Sequence, residues 1–443
     1  MDSTSICSQS TPLKWDPRPT ASGPEQSGRG RDCARTLEGG INMERHLVIS
    51  SDCHAGLLPG GYREYLDPEF REAFDTAQAR EIAATKAAEE HFLIKDINRE
   101  WRKGHETPLT GAWDHAERIK MLDDDGIAGE VIFPDGITEM NSPPFGAGIG
   151  LSPRGADPVL QWAGARAHNR WIVELCQMAP ERHHGVAVVP ATWDVAEAVR
   201  EVRWAKKNGL GSIMLPVRWW DHPAYHDPCY DPLWEVCEEL GMIVHFHVAT
   251  ADNETYFGSW PPKPGEPTTR GAMGIYLSEV VWWMARPLTF MIWAGVFELF
   301  PKLQVAFTEG TAGWIPSYLE LLDQRATTHA GSAKLGDFTS HLKLKPSEYF
   351  ARNIHIGTMA NRSEIDRRHD IGVDVLMWAS DYPHPEGTWP QTHDRMVESF
   401  KGVPEAERDA MLGTNAAALY GFDVEKLAPL VARIGPEKRS FQG

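Results

Sequence analysis

The stretch Trp378-Ala379-Ser380-Asp381-Tyr382-Pro383-His384-Pro385 closes an apolar run that begins at Val373, ending it with an aspartate and then a histidine between two prolines. A continuous apolar run of this length reads as a strand buried on both faces of a parallel sheet, and the polar residue that ends it is delivered to the rim. The arrangement occurs twice more. His46-Leu47-Val48-Ile49-Ser50-Ser51 runs into Asp52-Cys53-His54, and Met242-Ile243-Val244 runs into His245-Phe246-His247. Alternate residues of a strand share a face, so Asp52 and His54 point together while Cys53 turns away. Three strand ends carrying Asp-x-His, His and Asp predict one metal site built from Asp52, His54, His247 and Asp381.

From Met43 onward, short apolar runs alternate with segments whose apolar residues recur at three- and four-residue spacing, the pattern of a parallel sheet covered by helices. Strands are predicted at 46–52, 127–133, 185–190, 211–215, 242–247, 303–308, 353–356 and 373–379. Helices are predicted at 115–124, 157–178, 193–207, 231–240, 274–299, 312–328, 361–370 and 390–401. Eight strands in this α/β alternation predict a distorted (β/α)8 TIM barrel over residues 43–423. Residues 55–114 and 134–156 are long insertions after the first two strands, on the active-site face, and read as a lid or a dimer contact. Loops 216–230 and 250–273, rich in Trp, Pro and Gly, are expected to wall a pocket. Residues 1–42 lack apolar periodicity and predict a disordered N-terminal extension. A helical cap from Glu405 to Tyr420 and a tail over 424–443 complete the chain.

The 62 acidic residues outnumber the 44 lysines and arginines, for a formal charge of −18, which opposes nucleic-acid binding and points to a small-molecule substrate. No run is long and apolar enough to cross a bilayer; the nearest, Val280 to Phe300, contains Arg286, Pro287 and Glu298. The cysteines Cys7, Cys33, Cys53, Cys176, Cys229 and Cys237 form no CxxC pair. A reducing, cytoplasmic setting without disulfides is therefore expected.

Imidazole together with carboxylate ligation suits Zn, Mn or Fe better than Ca²⁺ or Mg²⁺. His245, two residues before His247, lies deeper in its strand and reads as a supporting or packing residue. Glu309 ends the strand at 303–308, where it can serve as a catalytic acid or base if desolvated, ligate a second ion, or orient a neighbour; one or two ions per chain are thus expected. His384 can orient a ligand, bind substrate or simply shape its turn. Arg118, in the helix opened by Asp114, is a candidate for pairing a substrate carboxylate. Glu130, inside the second strand, needs a partner if it points inward. Trp219, Trp220 and Trp260 are expected to line the substrate pocket, whereas Trp282 and Trp283 read as helix packing.

The segments Ile49 to His54, Phe307-Thr308-Glu309-Gly310-Thr311-Ala312-Gly313-Trp314-Ile315-Pro316, Trp378 to Pro385 and Gly413-Thr414-Asn415-Ala416-Ala417-Ala418-Leu419-Tyr420-Gly421 together resemble the amidohydrolase-related family. The branch is the one that includes aminocarboxymuconate-semialdehyde and resorcylate decarboxylases, and the resemblance runs from about Leu47 to Asp423. It implies a distorted (β/α)8 barrel in which Asp52, His54 and His247 are metal ligands and Asp381 sits beside a metal-bound water whose proton it moves. Homo-oligomers, or pairing with a related subunit, are implied as well. One departure stands out: many decarboxylases of the branch carry a histidine in a His-x-Gly-Gly turn where this chain has Thr308-Glu309-Gly310.

These residues point first to a metal-dependent hydrolase in which activated water attacks an amide, ester or lactone carbonyl and Asp381 takes the proton. The missing strand-six histidine weighs against a nonoxidative decarboxylase. A carboxylate-rich set of Asp52, Glu309 and Asp381 with His54, His247 and His384 would also suit a dinuclear iron or iron/manganese oxygenase, which metal analysis and oxygen dependence would distinguish. A noncatalytic subunit partner is disfavoured by the intact ligand set.

Overall fold

The structure is a computed structural model describing residues 44–80, 101–137, 141–249, 272–329 and 334–442. The expected extension over 1–42, Trp260 and most of the loop at 250–273 lie outside the described residues.

Eight parallel strands run in sequence order around a barrel: β1 Ile49–His54, β2 Gly129–Phe133, β3 His183–Val188, β4 Ser212–Met214, β5 Ile243–His247, β6 Val305–Thr308, β7 Ile354–Thr358 and β8 Leu376–Trp378. Each predicted strand is present. The last is shorter than expected because Val373–Val375 form a tight helical turn before the ladder begins. The barrel is nearly closed, and β1 meets the chain just beyond β8: Asp381 N–H donates to the Asp52 carbonyl (2.9 Å) and His54 N–H to that of Tyr382 (2.8 Å).

Alternation sorts the strand residues into two layers. Ile49, Val131, Val186, Ile243 and Met377 share one inner cluster, while their neighbours Val48, Ile132, Ala187, Val244 and Trp378 pack in the layer against the helices. A register shift between Ser50 and Cys53 interrupts the β1–β2 ladder. Such a bulge changes the parity of a strand, which lets Ile49 and then Asp52 and His54 all face inward.

The outer layer contains α1 His115–Asp124, α2 Pro158–Gln177, α3 Val195–Lys207, α4 Asp231–Leu240, α5 Trp282–Trp293, α6 Ile315–Gln324, α7 Pro346–Asn353 and α8 Thr392–Phe400. Asp114, Asp157 and Asp194 cap α1, α2 and α3 by accepting from the first free N–H groups. The helix expected over 274–299 is broken into three, with Gly295 in the left-handed region (φ 73°) ending the second break. The described part of the tail, residues 424–442, packs on the barrel: α9 Val424–Ile434 buries Leu427 and Val431 in the inner cluster, Phe441 is buried, and Glu437 bridges to Arg45. Among the described residues no helix is long and apolar enough to cross a membrane, and Cys53, Cys176, Cys229 and Cys237 are free thiols.

Candidate metal centre

Four side chains from three strand ends converge at the C-terminal rim. His54 Nε2 lies 3.3 Å from Asp52 Oδ1 and 3.2 Å from Asp381 Oδ1, and His247 Nε2 lies 3.4 Å from Asp52 Oδ1. All four residues are buried. The tautomers follow from the other ring nitrogens, because His54 Nδ1 faces the Pro134 carbonyl (2.9 Å) and His247 Nδ1 that of Val248 (2.8 Å). A carbonyl only accepts, so each Nδ1 donates, which leaves Nε2 of each ring directed at the centre as the atom that would bind an ion.

Both oxygens of Asp52, both of Asp381, His54 Nε2 and His247 Nε2 are buried without a hydrogen bond. Each such atom left unsatisfied costs about 1–3 kcal/mol, and ligand atoms of Asp52, His54, His247 and Glu309 lie within 4.8 Å of one another, as do those of His54, Asp381 and His384, a clustering that fits a divalent cation. The donor set, two imidazoles and two carboxylates, matches Zn²⁺, Mn²⁺ or Fe²⁺.

Burial opposes charge throughout this cluster, and the neighbours decide the outcome. His247 and His54 hold the Asp52 carboxyl well below the ordinary range despite its burial. Asp381 is likewise held low, by His384 and His54. Glu309 moves the other way: burial, then the charges of Asp381, Asp52 and Glu386, raise it well above the ordinary carboxyl value. His384 is raised because Asp381 outweighs both burial and the neighbouring His54.

Local backbone geometry aims these groups. Asp381 (φ 59°) and Glu309 (φ 64°) both sit in the left-handed region at their strand ends, a costly conformation for residues with a Cβ. After Glu309, Gly310 lies so close to Met284 of α5 that any Cβ there would overlap it. Beneath the centre, Ser380 N–H donates to Ser50 Oγ (2.8 Å), Ser50 Oγ donates to the Asp52 carbonyl (2.8 Å), and Ser380 Oγ contacts Cys53 Sγ (3.2 Å). These bonds tie the Asp52 and Asp381 segments together. His245 sits one pleat deeper, with Nδ1 3.2 Å from Thr308 Oγ1 and its ring stacked over Tyr420.

The other predicted site residues divide. Glu309 joins the rim, its Oε2 3.6 Å from His247 Nδ1, and His384 stacks on His54 with Nδ1 3.3 Å from Asp381 Oδ1. Arg118 does not face a pocket. Its fully buried guanidinium binds Glu130 through two bonds (2.6 and 2.7 Å) and the carbonyls of His54 and Gly111 (2.9 and 3.1 Å), so its donors are used inside the protein. Arg118 is thus the partner that Glu130 required, and it steadies the His54 backbone from behind. Trp219 also departs from expectation: it is buried against Tyr225 and Phe290. Trp220 donates from Nε1 to Ser152 Oγ (2.8 Å) and lies between Arg154 and Arg218.

Glu386 is the rim residue that sequence reasoning missed. Its ligand oxygen lies within 4.8 Å of those of Glu309 and Asp381. The signal was the turn His384-Pro385-Glu386-Gly387 directly after Asp381.

Eight parallel strands with convergent ligands at their C-terminal ends define a metal-centred (β/α)8 enzyme scaffold. The chain belongs to the amidohydrolase family, whose family model matches residues 52–422. It is 22% identical over 325 residues to the 2-amino-3-carboxymuconate-6-semialdehyde decarboxylase of Dictyostelium discoideum, covering 72% of this chain and 79% of that protein. Among solved structures it resembles an amidohydrolase of Mycobacterium avium subsp. paratuberculosis K-10 (TM-score 0.62, 19% identity, 85% of this chain and 99% of that one). It also resembles the 5-carboxyvanillate decarboxylase of Novosphingobium aromaticivorans DSM 12444 in complex with manganese and 4-hydroxy-3-methoxy-5-nitrobenzoic acid (TM-score 0.60, 17% identity, 85% and 97%). At these identities the structural likeness shows the fold.

Proposed function

We propose that this chain is a metal-dependent nonoxidative decarboxylase of a small aromatic or unsaturated carboxylic acid. The observation that carries the reading is the placement of His384, an imidazole stacked on His54 at the solvent side of the centre, with Nδ1 3.3 Å from Asp381 Oδ1, whose charge raises its affinity for a proton. Decarboxylation without an oxidant replaces CO₂ by a proton, so the site needs a proton donor beside the point where the substrate's anionic oxygen is held. Water-led hydrolysis needs a free base there instead. The decarboxylase relatives favour the same choice over the hydrolase that the strand-end motifs first suggested.

When bound, the cation supplies a Lewis-acid charge that fixes and polarises an oxygen of the substrate. His384 Nδ1–H is directed at Asp381, which leaves Nε2–H for the substrate. That proton passes to the carbon bearing the carboxylate. The bond to the carboxylate then breaks, its electron pair returns to the unsaturated framework, and CO₂ departs. His384 regains a proton from solvent. Asp381 orients the imidazole and stabilises its charge.

A second reading, hydrolysis of an ester, amide or lactone, is supported by Asp381, whose carboxylate is kept ionised beside two histidines and is suited to take a proton from water. The test is incubation of Mn²⁺-loaded protein with a panel of phenolic and unsaturated acids in D₂O. Release of CO₂ with one deuterium at the vacated carbon is expected. No CO₂ from any acid, with turnover of lactones or amides, would reverse the assignment.

A further inference from the structure

The ligand histidines and Asp52 are anchored differently. His54 and His247 are each fixed through the ring nitrogen turned away from the centre, by the carbonyls of Pro134 and Val248. Asp52 Oδ1 faces the Nε2 atoms of those two rings, whereas Oδ2, fully buried, meets no hydrogen-bond partner among the described residues. Carboxylates that ligate a metal are themselves hydrogen-bonded by outer partners, which set their orientation. Oδ2 therefore calls for a donor.

Two more unsatisfied atoms belong to the barrel interior. His245 has Nδ1 at Thr308 Oγ1 (3.2 Å) and Nε2 buried without a partner. Its ring stacks on that of Tyr420, with 5.7 Å between centroids and 9° between planes, and the Tyr420 hydroxyl is buried without a partner as well. Tyr420 ends the helix Asn415–Tyr420, which closes the N-terminal mouth of the barrel. Asn415 Nδ2 donates to the Val373 and Leu376 carbonyls (both 2.8 Å) at the entry to β8, and Ala416, Ala417 and Tyr420 join the inner cluster with Val186, Met214 and Ile243. Beside His245 on β6 stands Ala306, smaller than the branched side chains that usually fill a barrel. Burial, and then the negative charge of Asp52, raise the Tyr420 hydroxyl well above the ordinary tyrosine value, so Oη keeps its proton and feels Asp52 across the interior.

We propose that one ordered water sits inside the barrel between Tyr420 Oη, His245 Nε2 and Asp52 Oδ2, and that through it Tyr420 is a positioning residue for the metal ligand Asp52. This rests on the metal centre described above and not on the reaction it performs. Neither Oη nor Nε2 hydrogen-bonds Asp52 directly, so the link needs a bridging molecule. The tyrosine hydroxyl donates to the water and the water donates to Asp52. Its second proton or second lone pair then meets His245 Nε2, whichever ring nitrogen carries the histidine proton. Three polar partners are the usual complement of a buried water. The helix that plugs the bottom of the barrel thereby acts on a ligand at its top.

Tyr420→Phe is the test, because it keeps the ring and its stack on His245 and removes only the hydroxyl. A high-resolution crystal structure of the unmodified, chelator-stripped protein should first show water density within hydrogen-bond distance of all three atoms. Oxygen-17 relaxation dispersion of the stripped full-length proteins should then count one long-lived internal water fewer in Tyr420→Phe. Titration with Mn²⁺ should show that variant binding about 10–100-fold more weakly, the range typical of losing an outer partner, while its stripped form melts close to the unmodified protein. No water at that point in the unmodified structure would overturn the proposal, whatever the variant does. So would Mn²⁺ affinity that survives the loss of the hydroxyl, with or without a lower melting temperature, since Tyr420 would then only plug the barrel. No substrate enters these measurements, so a failed decarboxylase assay and a failed water site are separate results.

Discussion

The imidazole rings of His54 and His384 stack at 3.9 Å between centroids with 15° between their planes, and both reach Oδ1 of Asp381. One ring belongs to the candidate ligand set and the other lies toward solvent, so in the proposed reaction a single carboxylate oxygen would link ion binding to proton supply.

Removing a ligand should abolish turnover without unfolding the barrel. His54→Ala and Asp381→Asn are each expected to lower Mn²⁺ affinity by more than the ~10–100-fold typical of losing an outer partner. The melting temperature of the stripped Asp381→Asn protein should change little, because both Asp381 oxygens are without a hydrogen bond, whereas His54→Ala also loses the bond from Nδ1 to the Pro134 carbonyl and should melt somewhat lower. Near-normal turnover by either variant would show that the site has been misplaced.

His384→Gln should separate proton supply from metal binding. A general acid contributes roughly 10²–10⁴-fold to rate, so kcat should fall by that order while KM and bound metal stay close to those of the unmodified protein. Loss of metal along with rate would make His384 a ligand instead.

The pH profile carries a sign. His384 is raised above its ordinary 6.5 by Asp381, so the proton it donates is kept to a higher pH than on a free imidazole and is lost as pH rises through the raised value. kcat should therefore decline as pH rises through that value. For stability, the same shift contributes fully below 6.5 and disappears as pH climbs through the folded value. A nuclear magnetic resonance titration of the stripped protein should place the His384 midpoint above 6.5; a midpoint below it would remove the donor.

Arg118 is predicted to act on stability. Arg118→Ala strands Glu130 as a buried charge and should cost about 3–5 kcal/mol in denaturant unfolding. Replacing both partners, Arg118→Met with Glu130→Leu, should recover most of the stability. A selective rise in KM with unchanged stability would instead return Arg118 to the substrate.

Chelation should stop turnover and Mn²⁺ should restore it, at the same rate with and without dioxygen. Oxygen-dependent product formation, followed under anaerobic transfer, would favour the oxygenase chemistry that a carboxylate-rich centre can also support.

The alternation of apolar runs with helical periodicity was enough to place all eight strands, because buried parallel strands must be apolar on both faces and their ends must show where polarity returns. Asp52, His54, His247 and Asp381 were legible for the same reason: each interrupts or ends a run that has no other use for a charge. The linear chain could not say where Arg118 points, since a guanidinium on a helix serves a substrate or a buried Glu130 equally well until the distance is fixed. Nor could it rank Trp219 against Trp220, which are adjacent in sequence but differ in burial, the first buried and the second partly exposed.

Local pattern thus determined the barrel, its rim and the ligand types, since periodicity and polarity are properties of neighbouring residues. Only the folded chain decided that Glu386 faces Glu309 and Asp381, that Asp381 lies between two histidines, and that a bulge in β1 turns Asp52 inward. Those outcomes depend on segments far apart in the chain, Asp381 and His54 by more than three hundred residues, meeting at one rim, and electrostatic coupling falls off with spatial distance, to which position along the chain is blind.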